Sequence, residues 1–338
     1  MWTKSRRSLP EPEGVKERRG TRGPQNYGAE VSLFVEPGSD KMANQKFGGE
    51  WTERKLNCLR KYLNAYRRIF TRNEGARHLR TWYVDAFAGT GSRARVEVTE
   101  TGLFEDVYQD KDTAQYLDGS AKIALSLTEP FDHYLFIDKS RGYVSTLEQT
   151  IKREYPALHS RCEFRQGDAN TELKAWCGER NWKKERAVVF LDPYGMQVEW
   201  ATVEALAASK GIDLWYLFPL GIGVARLLKR AGEIPEAWKR KLDSALGTDA
   251  WRTEFYRESV KQADLFGSSR TSLERDAPVE KIEAFINDRL AQTFEKTAKG
   301  MILKNSRSSP LYLLCCAASN PRGAATAVRI AQDILKED

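Results

Sequence analysis

The chain contains 338 residues, of which 41% are hydrophobic and 11% aromatic, so it can bury the core of one large domain or of a domain with an insertion. Its 54 basic and 47 acidic residues leave a net charge of +7, which permits a polyanionic partner without requiring one. We find no membrane-spanning apolar stretch and no signal sequence, and we expect a cytoplasmic protein. The five cysteines and three histidines lack metal-ligand spacing, so we expect no metal site.

Residues 1–43 are rich in Arg, Lys, Glu, Pro and Gly, which predicts a disordered basic tail. The tail could bind nucleic acid or simply be solvated, and the composition leaves both interpretations open. A helix is predicted from Thr52, its cap, to about Thr71, because leucines recur there at helical spacing. Trp51 and Lys55, at the start of this helix, are candidates for substrate binding.

The stretch Thr81–Gly91, TWYVDAFAGTG, predicts a short buried strand that runs into a glycine turn. Such a strand and turn form the ligand-facing loop of doubly wound α/β folds. The turn lacks the GxGxxG spacing of dinucleotide-binding proteins, and no GxxxxGK[ST] motif occurs, which disfavours a P-loop enzyme. An ordinary strand and turn of a parallel sheet is the alternative interpretation.

Four more strands are predicted at 131–137, 162–166, 186–191 and 213–218, with helices between them at 121–127, 142–152, 172–176 and 200–209. Five strands that alternate with helices predict a parallel sheet with right-handed crossovers. The segment 92–117 is polar and irregular, which indicates an insertion near the glycine turn.

The chain is therefore predicted to have four parts: the tail 1–43, an α/β core over 44–222, a helical insertion over 223–278, and the C-terminal part of the core over 279–338. The insertion is charged and predicted to be helical to about Phe266, with Trp238 and Trp251 in its packed interior. The last part comprises a helix at 279–296, an antiparallel edge pair at 300–305 and 311–317, and a helix at 323–335.

Acidic residues stand at or just beyond the ends of four predicted strands: Asp85, Asp138, Asp168 and Asp192. Ligands of open α/β sheets bind outside the carboxyl ends of the strands. Four carboxylates there disfavour a phosphate-rich ligand, because like charges repel. They suit a ligand with ribose hydroxyls, an adenine amine and a positive charge. Asp138 could accept ribose hydroxyls and Asp168 the adenine amine, which favours S-adenosylmethionine over NAD or ATP.

Asp192, Pro193 and Tyr194 follow the fourth strand. A carboxylate and a fixed backbone carbonyl can accept two hydrogens from an exocyclic amine, and an aromatic ring can stack on a flat base. A base in duplex nucleic acid would have to be flipped out to reach this site. An Asp-Pro turn with a packed tyrosine is the alternative interpretation.

The motifs YVDAFAGTG, FIDKS, GDAN and FLDPYG together resemble those of class I S-adenosylmethionine-dependent methyltransferases. Over residues 48–336 the chain resembles more closely the bacterial three-Cys-motif partner protein family (TcmP), through GGEWTERKL, DGSAKIAL, FLDPYGMQVEW and DLWYLFPLGIGVARLL. It is also similar to the RlmJ group of ribosomal-RNA adenine-N6 methyltransferases. The family name TcmP refers to three cysteines in a radical-enzyme-like partner protein.

The resemblance implies a Rossmann-like sheet and assigns two groups of residues. Its cofactor-binding residues are Asp85, Phe87, Gly89, Gly91, Ser120, Asp138 and Asp168, and its catalytic residues are Asp192, Pro193 and Tyr194. The chain departs from the usual Asp-Pro-Pro-Tyr motif by one missing proline, which affects the predicted acceptor more than the cofactor.

The leading hypothesis is a methyltransferase that uses S-adenosylmethionine to methylate an exocyclic amine of nucleic acid, such as adenine N6. A non-catalytic partner of a radical-enzyme-like protein and a small-molecule methyltransferase are the alternatives. The sequence leaves open the choice of RNA or DNA, the sequence context and the oligomeric state.

Overall fold

A computed structural model describes residues 50–89, 119–230, 233–261 and 270–337, which belong to the unit Lys46–Asp338. The predicted tail over 1–43, the polar segment 92–117 and the candidate cofactor residue Gly91 lie outside the described residues. The division of the chain into four parts stays a prediction.

Ten strands are described: β1 (Arg80–Asp85), β2 (His133–Asp138), β3 (Cys162–Gln166), β4 (Glu185–Leu191), β5 (Ile212–Phe218), β6 (Tyr256–Lys261), β7 (Arg270–Arg275), β8 (Lys296–Thr297), β9 (Met301–Lys304) and β10 (Pro310–Ala318). The first five form a parallel sheet in the order β3-β2-β1-β4-β5. All seven residues of β5 are buried, as expected for a strand covered on both faces. The five predicted parallel strands are confirmed.

The sheet continues beyond β5 with antiparallel strands. β10 pairs antiparallel with β5, and on its other side it pairs antiparallel with β8 and β9. The predicted antiparallel pair is thus present, and its longer member is an interior strand because it also joins β5. This mixed, doubly wound sheet is Rossmann-like.

The helices are α1 (Glu50–Arg72), α2 (Ser120–Leu125), α3 (Arg141–Glu154), α4 (Pro156–His159), α5 (Ala169–Glu179), α6 (Trp200–Ala208), α7 (Glu236–Leu246), α8 (Trp251–Glu254), α9 (Val279–Thr293) and α10 (Ala324–Glu337), with a π-helix at Leu220–Ala225. They cover both faces of the sheet. Successive side chains of β1 alternate between two hydrophobic clusters, because Trp82 and Val84 enter one and Tyr83 enters the other. The first cluster contains residues of α5, α6 and α9, and the second contains residues of α1, α2, α3 and α10.

The segment predicted to be helical over 223–266 is helical only in part. It contains α7 and α8, but β6 and β7 form an antiparallel hairpin. Trp251 lies within the hydrophobic core, and Trp238 packs against that core. Tyr256 explains the difference, since it is buried and its hydroxyl donates to the carbonyl of Lys229. That contact spans 27 residues, so the charged local pattern could not indicate it.

Two predicted helix starts are corrected. α1 includes Glu50 and Trp51, so Thr52 lies inside the helix with a buried side chain and is not its cap. α5 begins at Ala169 instead of 172, because the Asp168 carboxylate accepts hydrogen bonds from the backbone amides of Asn170 and Thr171.

Candidate functional site

The parallel strands bring the acidic residues to one edge of the sheet. Asp85 is the last residue of β1, Asp138 is the last residue of β2, and Asp192 directly follows β4. Asp85 pairs in register with Phe136 of β2 and with Phe190 of β4, so the three strand ends are adjacent. The connections leave β1 and β4 in opposite directions along the sheet, and ligands of such sheets bind at this switch point.

Asp85 lies beneath the turn, and its side chain is fully buried. Its carboxylate accepts hydrogen bonds from the hydroxyls of Ser120 at 2.6 Å and Tyr83 at 3.3 Å, and from the backbone amide of Phe87 at 3.3 Å. The pKa of Asp85 is raised to about 6. Burial is the main cause, the three donors lower the pKa, and the charge of Asp192 raises it. The carboxylate therefore fixes the turn and the start of α2.

Tyr83 was not among the predicted site residues. A strand places residues two apart on the same face, so the spacing of Tyr83 and Asp85 was a usable signal for this hydrogen bond. The aromatic run around Tyr83 instead indicated only a buried core strand.

Asp138 ties the β1 turn to the end of β2. Its Oδ2 accepts the backbone amide of Gly89 at 3.0 Å, and its Oδ1 accepts the amide of Ser140 at 2.8 Å. Burial raises the pKa of Asp138, while both amides lower it. Gly89 has φ of +60°, a conformation that favours glycine. The Asp138 side chain remains partly exposed, so each oxygen has a lone pair for a further donor such as a ribose hydroxyl.

Asp168 is exposed and caps α5. Its Oδ1 accepts from the amides of Asn170 at 3.0 Å and Thr171 at 3.1 Å. Among the described residues no side chain or amide donates to Oδ2, which leaves that oxygen available to a ligand amine. Phe87, another predicted cofactor residue, is half-buried and packs against the core.

Lys55 and Asp192 form an ion pair between α1 and the end of β4. Lys55 Nζ lies 2.5 Å from Asp192 Oδ2, and the two side chains are only 5% and 19% exposed. The ammonium also lies 5.4 Å from the centre of the Trp51 ring, which stacks on Tyr312 at 5.0 Å. The structure thus joins the predicted substrate-binding residues to the predicted catalytic carboxylate.

Only part of this arrangement was visible in the sequence. Trp51 and Lys55 are four residues apart and share one helix face. Asp192 and Tyr312 come from distant parts of the chain, and Tyr312 was not predicted. Trp51 is also more buried than a base-stacking surface would be, at 7% exposure.

Pro193 is buried and Tyr194 is half-buried in the turn after Asp192. The backbone amide of Tyr194 donates to Gln197 Oε1 at 3.1 Å, and Gly195 has φ of +67°. A glutamine hydrogen bond and a left-handed glycine therefore shape this turn and hold it tightly curved beside the Asp192 carboxylate.

The described residues contain no group of three or more His, Cys, Asp or Glu side chains that could hold a metal ion. Within the same ranges, no helix has the length and apolar character needed to cross a membrane.

The strand order β3-β2-β1-β4-β5 followed by an antiparallel strand confirms the Rossmann-like sheet that the resemblance implied. No protein-family model matches the chain, and no curated protein matches it.

Solved structures match this chain at low identity and low TM-score. A Legionella pneumophila protein of family DUF519 is 10% identical, with 85% of this chain and 92% of that chain covered and a TM-score of 0.43. Magnesium protoporphyrin IX methyltransferase of Synechocystis, with bound SAH, is 13% identical over 77% and 83% of the two chains, with a TM-score of 0.33. Trm1 of Pyrococcus horikoshii, in complex with S-adenosyl-L-methionine, is 13% identical over 85% and 75%, with a TM-score of 0.33.

Proposed function

We propose that the protein is an S-adenosylmethionine-dependent methyltransferase that acts on an exocyclic amine of nucleic acid, such as adenine N6. The observation that carries the proposal is the Asp192 carboxylate, which the buried Lys55 ammonium holds at the switch point of the sheet. A rigid carboxylate at this place can orient an amine, since its geometry is set before the substrate binds.

The donor and acceptor groups of the site fit S-adenosylmethionine. Asp138 has acceptor capacity for ribose hydroxyls beside the left-handed Gly89, and Asp168 Oδ2 can accept from an adenine amine. A group with a positively charged sulfur and no phosphate suits an edge that carries four carboxylates. When bound, this group supplies an electrophilic methyl.

The protein's own residues would position the acceptor. Asp192 Oδ2 is engaged with Lys55, so Oδ1 is the oxygen that can accept a hydrogen from the target amine. Such a hydrogen bond turns the nitrogen lone pair away from the carboxylate and toward the methyl donor. The methylated nitrogen becomes a strong acid, and its proton can then pass to Asp192 or to water. Tyr194 is partly exposed beside Asp192 and could stack on the target base.

Methyl transfer from radiolabelled S-adenosylmethionine into total cellular RNA and DNA tests this proposal. Asp192→Asn should lower the rate on the order of 100-fold or more, because the amide presents a weaker acceptor. The variant should still bind S-adenosylhomocysteine in a calorimetric titration, whereas Asp138→Asn should lose that binding. Asp333→Asn, which changes an exposed acid of α10, serves as the control. Full activity of Asp192→Asn would contradict the assignment.

A second candidate function is that of a non-catalytic partner for a radical-enzyme-like three-Cys-motif protein. The Lys55–Asp192 ion pair favours it, because the ammonium already occupies one oxygen of the carboxylate that catalysis would need. The missing proline before Tyr194 points the same way. This function predicts that the protein binds S-adenosylhomocysteine and transfers no methyl group to any nucleic acid, with or without that partner.

A further inference from the structure

The edge of the sheet opposite Asp192 contains an open cleft of about 600 Å³. Two loops form it: residues 180–184, which precede β4, and residues 209–211, which precede β5. The two strands are neighbours, so the loops lie side by side at the amino ends of the parallel strands. The lining residues are Glu179, Arg180, Asn181, Trp182, Lys183, Ser209 and Lys210.

The cleft is basic, and two of its cations are unneutralised. Lys183 and Lys210 are exposed, and no acidic side chain in the described ranges lies within 4 Å of either ammonium group. The lining acid, Glu179, is instead engaged by arginines. It pairs with Arg165 at 2.6 Å and with Arg180 at 3.3 Å. The cleft therefore presents a positive potential to solvent.

The backbone beneath the two lysines is held rigidly. The Trp182 indole donates to the carbonyl of Cys177 at 3.0 Å, and the Trp182 carbonyl accepts from Arg186 Nη1 at 2.5 Å. A Cβ on Gly211 would lie 2.6 Å from Cε3 of the Trp182 ring, so only glycine lets the second loop pack this closely on the first.

Further contacts hold the backbone of the first loop, and the second loop has a constrained conformation. The Lys184 amide donates to the carbonyl of Asn181 at 2.8 Å, and the Lys184 carbonyl accepts from the amide of Arg80 at 2.9 Å. Lys210 has φ of +53°, a left-handed conformation that a non-glycine residue adopts at some energetic cost. A cationic cleft on fixed loops is preorganised for an anion, because little backbone freedom is lost on binding.

We propose that this cleft binds the phosphodiester backbone of the nucleic-acid substrate, far from the reacting base. The inference rests on the proposed function for the identity of the substrate. β4 connects the two edges and has seven residues, which at a rise of about 3.3 Å each span about 23 Å. A substrate that contacts both edges must therefore be a structured or extended nucleic acid and not a free nucleotide.

The test measures binding by fluorescence anisotropy and needs no methyl transfer. The probes are a labelled DNA hairpin with a stem of about 12 base pairs, about 40 Å long, an RNA hairpin of the same sequence, and a short single strand of only two nucleotides. The double variant Lys183→Glu/Lys210→Glu should weaken binding of at least one hairpin about tenfold at about 100 mM salt. It should also reduce the salt slope by roughly 2. Binding of the short strand should not change, because it cannot reach the cleft from the Asp192 edge.

Two further variants separate a local contact from net charge. Lys152→Glu/Lys299→Glu makes the same change in charge at exposed lysines outside the cleft and should leave hairpin affinity within about twofold of wild type. Lys183→Arg/Lys210→Arg keeps the charges and should retain affinity. Thermal melts check that the variants are folded, which we expect because the changed side chains are exposed.

The proposal is overturned if the cleft variant binds both hairpins as tightly as the wild type, or if the control pair weakens binding equally. An equal loss of affinity for the short strand would also overturn the proposal, since the contact would then not be remote from the Asp192 site. The proposal is also overturned if polyglutamate displaces the labelled hairpin at a lower concentration than unlabelled hairpin does. That result would indicate an acidic protein partner. A protein that binds hairpins through this cleft and transfers no methyl group would contradict the proposed function and leave this inference standing.

Discussion

Two buried aspartates at opposite ends of the sheet differ in how their carboxylates are stabilised. Asp85, at the carboxyl end of β1, accepts from Ser120, Tyr83 and the Phe87 amide, and its pKa is raised to about 6. Asp213, near the amino end of β5, accepts from Tyr62 at 2.8 Å, and its pKa is raised to about 7. Burial raises both pKa values, and the additional donors at the candidate site offset more of that cost at Asp85.

The two aspartates also differ in the charged and titratable groups that surround them. Arg186 favours the charged form of Asp213, and Tyr62, Tyr66 and Cys316 pack near it as neutral groups with raised pKa values. At the other edge, Asp192 opposes ionisation of Asp85, while Lys55 compensates the charge of Asp192. At the candidate site, three donors offset much of the cost of burying the Asp85 carboxylate, whereas Asp213 accepts one side-chain hydrogen bond, and its pKa is raised further.

Removing the Asp213 carboxyl should give the largest change in stability. The folded protein keeps Asp213 protonated up to about pH 7, whereas an unfolded aspartate releases its proton near about pH 3.9. Between these values the folded state binds more protons, so its stability falls as the pH rises. At about 1.4 kcal/mol per pKa unit, the difference is on the order of 4 kcal/mol. Asp213→Asn should remove this decline, and urea unfolding from pH 4 to pH 8 measures it.

The Asp213→Asn variant should therefore gain stability relative to the wild type as the pH rises, since Tyr62 can still donate to the amide oxygen. Asp333→Asn, at an exposed position of α10, should leave the profile unchanged. Parallel profiles for Asp213→Asn and the wild type would show that Asp213 is charged in the folded protein, and the comparison with Asp85 would fail.

Lys55→Met should lower the free energy of unfolding by about 3 kcal/mol, because it leaves the Asp192 carboxylate without its buried counter-charge. The double variant Lys55→Met/Asp192→Leu should recover most of that loss while remaining inactive. Urea unfolding at pH 7 checks both values.

Lys61→Met provides the matched control on the same helix. Lys61 pairs with Glu337 at 3.3 Å, but these side chains are 36% and 66% exposed, so the loss should not exceed about 1 kcal/mol. Equal effects of Lys55→Met and Lys61→Met would mean that the Lys55–Asp192 pair is no more important than an exposed one.

Ser120→Ala should make Asp85 more like Asp213, with the smallest effect of the three. It removes the 2.6 Å hydrogen bond to the carboxylate, so the pKa of Asp85 should rise further. The free energy of unfolding at pH 8 should fall by about 2 kcal/mol, and by less at pH 5, where Asp85 is largely protonated. Ser126→Ala, at the exposed C-terminal end of α2, is the control. The same loss of stability at both pH values would show that the contribution of the Ser120 hydrogen bond does not depend on the ionisation of Asp85.

Most of the sheet was predictable because its signals are local. Buried strands such as β4 and β5 are short, mostly apolar runs, and their limits agree with the structure to within one residue. The hairpin β6–β7 was missed because its strands consist mostly of charged and polar residues, a composition that also suits a solvated helix. The contact of Tyr256 with Lys229, which helps to hold the hairpin, is not local.

The candidate site divides in the same way. The sequence by itself determined that acidic residues stand at the ends of successive strands, because strand length and turn chemistry are local properties. Only the tertiary structure decided that Asp85 is buried beneath the turn, that Asp138 holds Gly89, and that Lys55 pairs with Asp192 across 137 residues. Local patterns specify strands and helices, but the direction and partner of a side chain depend on how distant elements pack.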